Sequence, residues 1–339
     1  MLITDNLSKI VLIAVYFGKF PRWINLYIKT CKYNPTIDWI IFCNDRIPQG
    51  IAENVKFINI SLNDFITRAE RKTETKIPLK EYRKISDLKP AYGAIFEDYI
   101  KNYDFWGHVD LDIMWGDIRK FITEEALREY QIISATKYHI CGHFTLYRNC
   151  EQINNMFKIN EIYKNIFKDK KYKNFDEIGD RNKGLGMDQI IRQAEKKNLL
   201  KVLRQNLHIN DFHNEEWDKL ARQLTGEQSA EPDDSAIKSG TCYWNDGKVF
   251  HKETGQETMY FHFQFSKDTT DLPGCYRWYK QINRWEIDQN RCRLNFSSFY
   301  YSILFFLETS LYLLVRASYR RAKNTYKRCR EFFAKKACI

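Results

Sequence analysis

The stretch KIVLIAVYFG, residues 9–18, is a continuous apolar and β-branched run that stops at a glycine. A half-exposed strand would show a polar residue at every second position. This one does not, so it is expected to lie buried on both faces of a mostly parallel sheet. Pro21 then opens a helical stretch, RWINLYIKTCKY. IDWIIFCND (37–45) repeats the apolar run and ends at Asn44-Asp45, and NVKFINIS (54–61) supplies a third strand. Three short strands with helical connections predict an α/β, Rossmann-like first half.

Residues 81–103 have helical periodicity, broken by Pro90, with Asp87 and Lys89 just before it. The next apolar run, FWGHVDLDIMWGD (105–117), carries two carboxylates inside it. On a strand, Val109, Leu111 and Ile113 share one face while Asp110 and Asp112 share the other. Two such Cα atoms stand ~6.7 Å apart on a continuing strand, which is wide for holding one ion. The strand is therefore expected to end or bend near Asp110, with Met114-Trp115-Gly116 changing the chain direction. Carboxylates at the C-terminal end of a strand lie where open α/β sheets place ligands. Hard oxygen ligands suit Mn²⁺ or Mg²⁺ that also holds a diphosphate. Asp117 reads as the N-cap of IRKFI rather than as a third ligand.

The chain of 339 residues carries a net +11, but its location is uneven. Nine Lys or Arg between Arg316 and Lys336 face a single glutamate, so that segment holds +8 of the total. The near-neutral body argues against nucleic acid as a partner; the basic end points to an anionic surface. Nine cysteines, an odd number without a C-x-x-C pair, fit reduced thiols in a cytoplasmic protein. The N-terminus lacks a basic start and a cleavage site, so it reads as a first strand and not a signal peptide. FSSFYYSILFFLETSLYLLVR (296–316) is apolar with Glu308 near its middle. A mid-span glutamate costs about 2–3 kcal/mol in a membrane. An interfacial helix followed by a basic one is the expected form, with an ordinary buried helix as the alternative. The division expected is 1–290 for the α/β domain and 291–339 for the tail.

Further strands are expected at 131–137 and 143–149, helices over about 151–168, and a glycine-containing loop entering a helix within 176–197. TCYWNDGKVFH (241–251) predicts a hairpin turning at Asn245-Asp246-Gly247. RQLTGEQSAEPDDSAIKSG (222–240) reads as a polar loop and MYFHFQFSK (259–267) as a late strand. G-x-S-x-G, H-E-x-x-H and P-loop patterns do not occur, which removes support for serine-hydrolase, zinc-protease and kinase readings.

The block DLKPAYGAIFEDYI…YDFWGHVDLDIMWGDIRKF resembles an uncharacterised bacterial family found with surface-polysaccharide genes. More broadly, residues 9–267 resemble nucleotide-sugar glycosyltransferases of the GT-A fold. Two further stretches, GMDQII (186–191) and FHFQFSK (261–267), are similar to glycosyltransferase family 8, whose members retain the anomeric configuration. The resemblance implies that Asp188 and Gln189 lie beside the donor sugar, that His262 is the third metal ligand with Asp110 and Asp112, and that Lys267 contacts phosphate. It also implies that Tyr16 and Phe17 lie near the nucleotide. Each residue has a plainer reading: Asp188 as a helix cap, His262 as a strand histidine, Lys267 as a solvated charge. Asp45 would meet base or ribose, or simply turn the chain; Lys89 would touch the donor, or pair with Asp87. His143 would line the acceptor side, or be structural.

The function so implied is metal-dependent transfer of a sugar from a nucleotide-diphosphate donor to a lipid-linked or surface glycan. Mn²⁺ or Mg²⁺ would be the cofactor and the cytoplasmic face of the cell membrane the location. The alternatives are a nucleotidyltransferase or nucleotide-sugar hydrolase, and a non-catalytic membrane-associated binding module.

Overall fold

The computed structural model describes residues 7–21, 23–48, 50–79, 81–179, 185–210 and 242–263, with the backbone of 282–287 and 292–296. Lys267, the stretch 222–240 and the tail beyond 296 lie outside the described residues. The three apolar runs form β1 (Ile10–Tyr16), β2 (Ile37–Cys43) and β3 (Val55–Asn59), paired in parallel. On the other side of β1 lies β4 (Phe105–Val109), also parallel. β5 (Ile113–Trp115) leaves this sheet, and β6 (Ile132–Ser134), β7 (Phe144–Arg148) and β8 (Val202–Arg204) complete it. The seven strands run in the order β3-β2-β1-β4-β7-β6-β8. Within it β7 alone is antiparallel to the rest. This is the mixed, mostly parallel α/β sheet expected of a GT-A fold.

Burial on both faces explains why β1 needs no polar alternation. Val11 and Ile13 join a core cluster that includes Phe65 and Ala69 of the helix Leu62–Thr73. Ile10, Leu12 and Ala14 face the other way and pack with Tyr27 and Ile28 of the helix Ile24–Lys32. Each fully buried side chain of this size contributes about 1.5–3 kcal/mol. The chain winds from β1 out to β3, then returns across β1 to start β4. That reversal between β1 and β4 is a topological switch point, and the crevice beyond the strands' C-terminal ends is where such sheets bind ligands.

Over residues 81–103, where the helical periodicity is broken by Pro90, the chain forms three short helical pieces. A 3-10 stretch, Tyr82–Ala91, carries Pro90 inside it and is followed by two short helices, Tyr92–Ile95 and Glu97–Ile100. Proline lacks the N–H that a continuing helix needs. The three-residue period then places Lys84 and Asp87 on one buried face.

A second layer crosses the end of the first. β9 (His208–Asn210) and β13 (Tyr260–His262) form a three-stranded sheet with β5, in the order β5-β13-β9. The expected hairpin is present as β10 (Cys242–Asn245) and β11 (Lys248–His251). Its turn residues Asp246 and Gly247 both have positive φ, 44° and 85°, as a tight hairpin turn requires. β12 (Glu257–Thr258), β14 (Ile282–Ile287) and β15 (Cys292–Phe296) extend it to five strands. The sheet runs on to Phe296. No helix among the described residues is long and apolar enough to cross a membrane.

Candidate functional site

β4 ends at Val109, and the chain bends through Asp110-Leu111-Asp112 before β5 begins at Ile113. The break comes earlier than Met114-Trp115-Gly116, whose first two residues continue β5. Its cause is visible on both sides. Val109 and Leu111 stay buried in the core, and the Asp110 N–H donates to the His143 carbonyl at 3.3 Å, carrying the β4–β7 register one residue past β4 before the chain turns away. β5 then pairs antiparallel with β13, with His262 opposite Ile113, and the Phe263 N–H donates to the Asp112 carbonyl at 3.0 Å. The register of one short strand pair therefore brings a residue from far along the chain beside the two aspartates. Asp110, Asp112 and His262 each offer a ligand atom within 4.8 Å of the others.

The donor set fits a hard divalent ion. Two carboxylates with one imidazole suit Mn²⁺, and the half-open position of Asp110 leaves room for oxygen ligands from a substrate. His262 is oriented for the task. Its Nδ1 lies 3.0 Å from Asn210 Oδ1, which fixes the proton on that nitrogen and leaves Nε2 facing Asp112 Oδ1 at 3.5 Å. His143 stacks on His262 with ring centroids 4.0 Å apart, and its own Nδ1 meets the Tyr260 hydroxyl at 2.9 Å. Burial, with His262 and His208 nearby, holds the His143 ring well below the ordinary histidine range, so it stays neutral. Sequence reading left His143 between an acceptor role and a structural one; the structure places it against His262. Asn210 gave no signal in sequence, since its strand is three residues long.

Behind Asp110 stands Lys89. Its ammonium contacts Asp110 Oδ1 at 2.7 Å, the Gly142 carbonyl at 2.7 Å and Asp176 Oδ2 at 3.4 Å. Of the two readings of Lys89, pairing with Asp87 is not seen, since Asp87 pairs with Lys84 instead. Burial alone would lower the Lys89 ammonium, but the charges of Asp110 and Asp176 outweigh it and raise its pKa above the ordinary value. Burial pushes the Asp176 carboxyl up to about 7, against the pull of Lys89 and with help from Glu177. Glu177 is held by the Gly142 N–H at 3.0 Å, and a side chain at Gly142 would strike both acids.

The shift at Asp176 has a sign. An unfolded aspartate titrates near 4, so between about pH 4 and 7 the native state holds this proton more tightly than the unfolded one. The contribution is full below about pH 4 and lost as pH rises through about 7. Asp176→Asn, a variant that cannot titrate, is expected to show a flatter stability profile than the wild type over that window. Urea unfolding of both proteins at pH 4.5, 6 and 8 checks this; parallel curves refute it.

The expected donor-side residues separate into two groups. Tyr16, at the C-terminal end of β1, stacks on Phe20 at 5.7 Å. Asp45 accepts from the Phe20 N–H at 2.6 Å and the Arg46 N–H at 2.8 Å, and these amides hold its carboxyl below the usual range. Both border the crevice, with Tyr82, 56% exposed, across Gly18. Phe17 does not join them: its ring is buried against Phe65 at 5.5 Å. Asp188 is likewise withdrawn. It is fully buried, accepting from the Ile140 N–H at 3.0 Å and Arg192 Nε at 2.8 Å. It pins the segment leading to Gly142 and His143. Gln189 Oε1 accepts from the Gly186 N–H at 3.0 Å, while its Nε2 has no partner among the described residues.

Comparison with known proteins gives the following. No curated protein matches the chain. Among solved structures, the galactosyltransferase LgtC in complex with donor and acceptor sugar analogs is similar at 10% identity, covering 66% of this chain and 98% of that one, with a TM-score of 0.37. Mouse xyloside xylosyltransferase 1 is 9% identical over 75% of this chain and 96% of its own, with a TM-score of 0.39. The apo glycosyltransferase GlyE of Streptococcus pneumoniae is 14% identical over 67% of this chain and 53% of its own, with a TM-score of 0.35. A sequence profile matches residues 12–292, from β1 to the start of β15, and by that match the chain belongs to the family of unknown function DUF6625.

Proposed function

We propose that the protein is a metal-dependent glycosyltransferase that uses a nucleotide-diphosphate sugar. The observation that carries this is the convergence of Asp110, Asp112 and His262 at the β1/β4 switch point. A divalent ion held there would supply positive charge to a departing diphosphate. The chain's own part is to present the ion. Asp110 and Asp112 give carboxylate oxygens, His262 gives Nε2, and Asn210 fixes the imidazole tautomer. Tyr16 and Asp45 border the space for the nucleoside, and the partnerless Gln189 amide supports a place beside the donor sugar. Retention, implied by the family 8 resemblance, belongs to this proposal. The acceptor proposed is a lipid-linked or surface glycan.

A thermal-shift panel of nucleotide sugars with and without Mn²⁺ tests the reading. Ligand binding to the native state at 100 times Kd adds ~2.7 kcal/mol, a clear rise in Tm. A rise that needs both partners supports it; no metal-dependent nucleotide binding refutes it. Release of free sugar without acceptor transfer would indicate a hydrolase.

We also propose that the segment from residue 296 onward holds the protein at the anionic inner face of the membrane. Its support is sequence alone: an apolar run followed by +8, each basic residue near such a surface contributing about 1 kcal/mol. A chain truncated after residue 295 is expected to lose sedimentation with phosphatidylserine vesicles that the full chain shows. Undiminished sedimentation refutes the assignment.

A further inference from the structure

We propose that Lys89 makes divalent-cation loading at Asp110 and Asp112 depend on a nucleoside diphosphate, by acting as a built-in counter-ion to Asp110. This rests on the metal-site reading above and concerns what Lys89 does to that site.

The geometry is one-sided. The Lys89 side chain is 7% exposed and that of Asp110 36%, so the ammonium approaches Asp110 from the protein interior and leaves its outer side to solvent. The contact, 2.7 Å to Oδ1, occupies one carboxylate oxygen. An ion bound by Asp110, Asp112 and His262 must then share Asp110 with a fixed positive charge that is itself buried on the inner side. Two carboxylates and a neutral imidazole offer two negative charges, and Lys89 cancels one. That is a poor holding for a hard divalent ion, which prefers six or more oxygens. Two phosphate oxygens supply the missing ligands and charge. The ion and the nucleotide should therefore bind as a pair, each raising the affinity of the other by the same factor.

Asp176 completes the device. At 3.4 Å it is the weaker of the two carboxylate contacts, and it gives the ammonium somewhere to turn when an ion draws on Asp110. Gly142 holds the third acceptor, and its lack of a side chain lets Asp176 and Glu177 close on it. Lys89 thus acts through Asp110 and does not itself touch the ligand.

The test measures Mn²⁺ binding to the full chain at pH 8, by calorimetry and by the Mn²⁺ electron paramagnetic resonance signal. It is run without nucleotide and with UDP, GDP or ADP. Lys89→Met keeps the length of the side chain and removes its charge. It should bind Mn²⁺ alone about ten-fold more tightly and gain correspondingly less from the nucleotide. Asp176→Asn removes the competing carboxylate, leaves the ammonium to Asp110, and should bind Mn²⁺ alone about three-fold more weakly. A merely structural ion pair would weaken both variants together. Unchanged or weaker Mn²⁺ binding by Lys89→Met overturns the inference. Should that variant not fold, unchanged or tighter binding by Asp176→Asn overturns it instead. If neither the wild type nor Lys89→Met binds Mn²⁺, with or without a nucleoside diphosphate, the metal-site reading itself falls and takes the inference with it.

Discussion

Asp112→Ala is expected to remove Mn²⁺-dependent nucleotide binding, with a loss of Mn²⁺ affinity beyond about 100-fold. The size follows from what the residue does. Groups that only orient a metal ligand typically cost 10–100-fold when removed, and a direct carboxylate ligand carries formal charge as well. Asp112 is 7% exposed and faces His262 Nε2 at 3.5 Å, so no solvent-borne group easily replaces it. Its main chain is fixed independently, because the Asp112 carbonyl accepts from the Phe263 N–H. The variant should therefore fold and keep the β5–β13 pair, separating loss of the ion from loss of the site. Asn210→Leu is the graded control. It leaves all three ligands in place but frees the His262 ring, and should cost about 10–100-fold. Calorimetry with Mn²⁺ and UDP reads both. Equal affinities for wild type and Asp112→Ala would show that the cluster holds no ion.

The two aspartates were legible in the sequence because they break an apolar run, and β1 because its run is unbroken, while β2 and β3 carry one charge each, Asp38 and Lys56, in otherwise mainly apolar runs. A strand buried on both faces has to be apolar throughout, so its signal is strong even over seven residues. His262 was legible only through family resemblance. It occupies a three-residue strand, too short for any period, and its place beside Asp112 is set by the register of β13 on β5. Asn210 reaches His262 by the same route, through the pairing of β13 with β9. Long-range register is invisible to local pattern. Lys89 and Asp87 show a subtler failure. Both were read as charges at a helix break that touch the donor or pair with each other. A turn of three residues rather than 3.6 sends Asp87 to Lys84 and leaves Lys89 for Asp110. Asp188 was read as lying beside a donor sugar or as a helix cap; its full burial, with the Ile140 amide, Arg192 and Arg204 as partners, makes it a brace for the Ile140 segment, which no local pattern shows. Phe17, just past the end of β1, is buried against Phe65, while Tyr16 at the strand's end stacks on Phe20.

Asp87→Ala is expected to destabilise the protein by about 3–5 kcal/mol, the range for breaking a buried ion pair by removing one partner. Neither Lys84 nor Asp87 has any solvent exposure, and their charged atoms meet at 2.7 Å. Without the carboxylate, the Lys84 ammonium keeps only the Ile166 carbonyl at 2.6 Å. The Lys173 and Phe175 N–H groups, which donate to Asp87 at 2.9 and 2.8 Å, lose their acceptor as well. Two costs are thus combined, and a second variant divides them. Lys84→Met with Asp87→Leu removes the stranded charge but still orphans both amides, each worth about 1–3 kcal/mol if they stay buried and unpaired. Its loss should be smaller than that of Asp87→Ala if the unpaired ammonium dominates, and urea unfolding of the two variants decides. The amides lead directly into Asp176 and Glu177, which close on Gly142 beside the cluster. A destabilised loop there should also weaken Mn²⁺ binding in both variants, although neither substitution touches a ligand. If the double variant is as unstable as the single one, the loop amides and not the buried charge carry the cost, and Asp87 is first of all an anchor for the segment that supports Lys89.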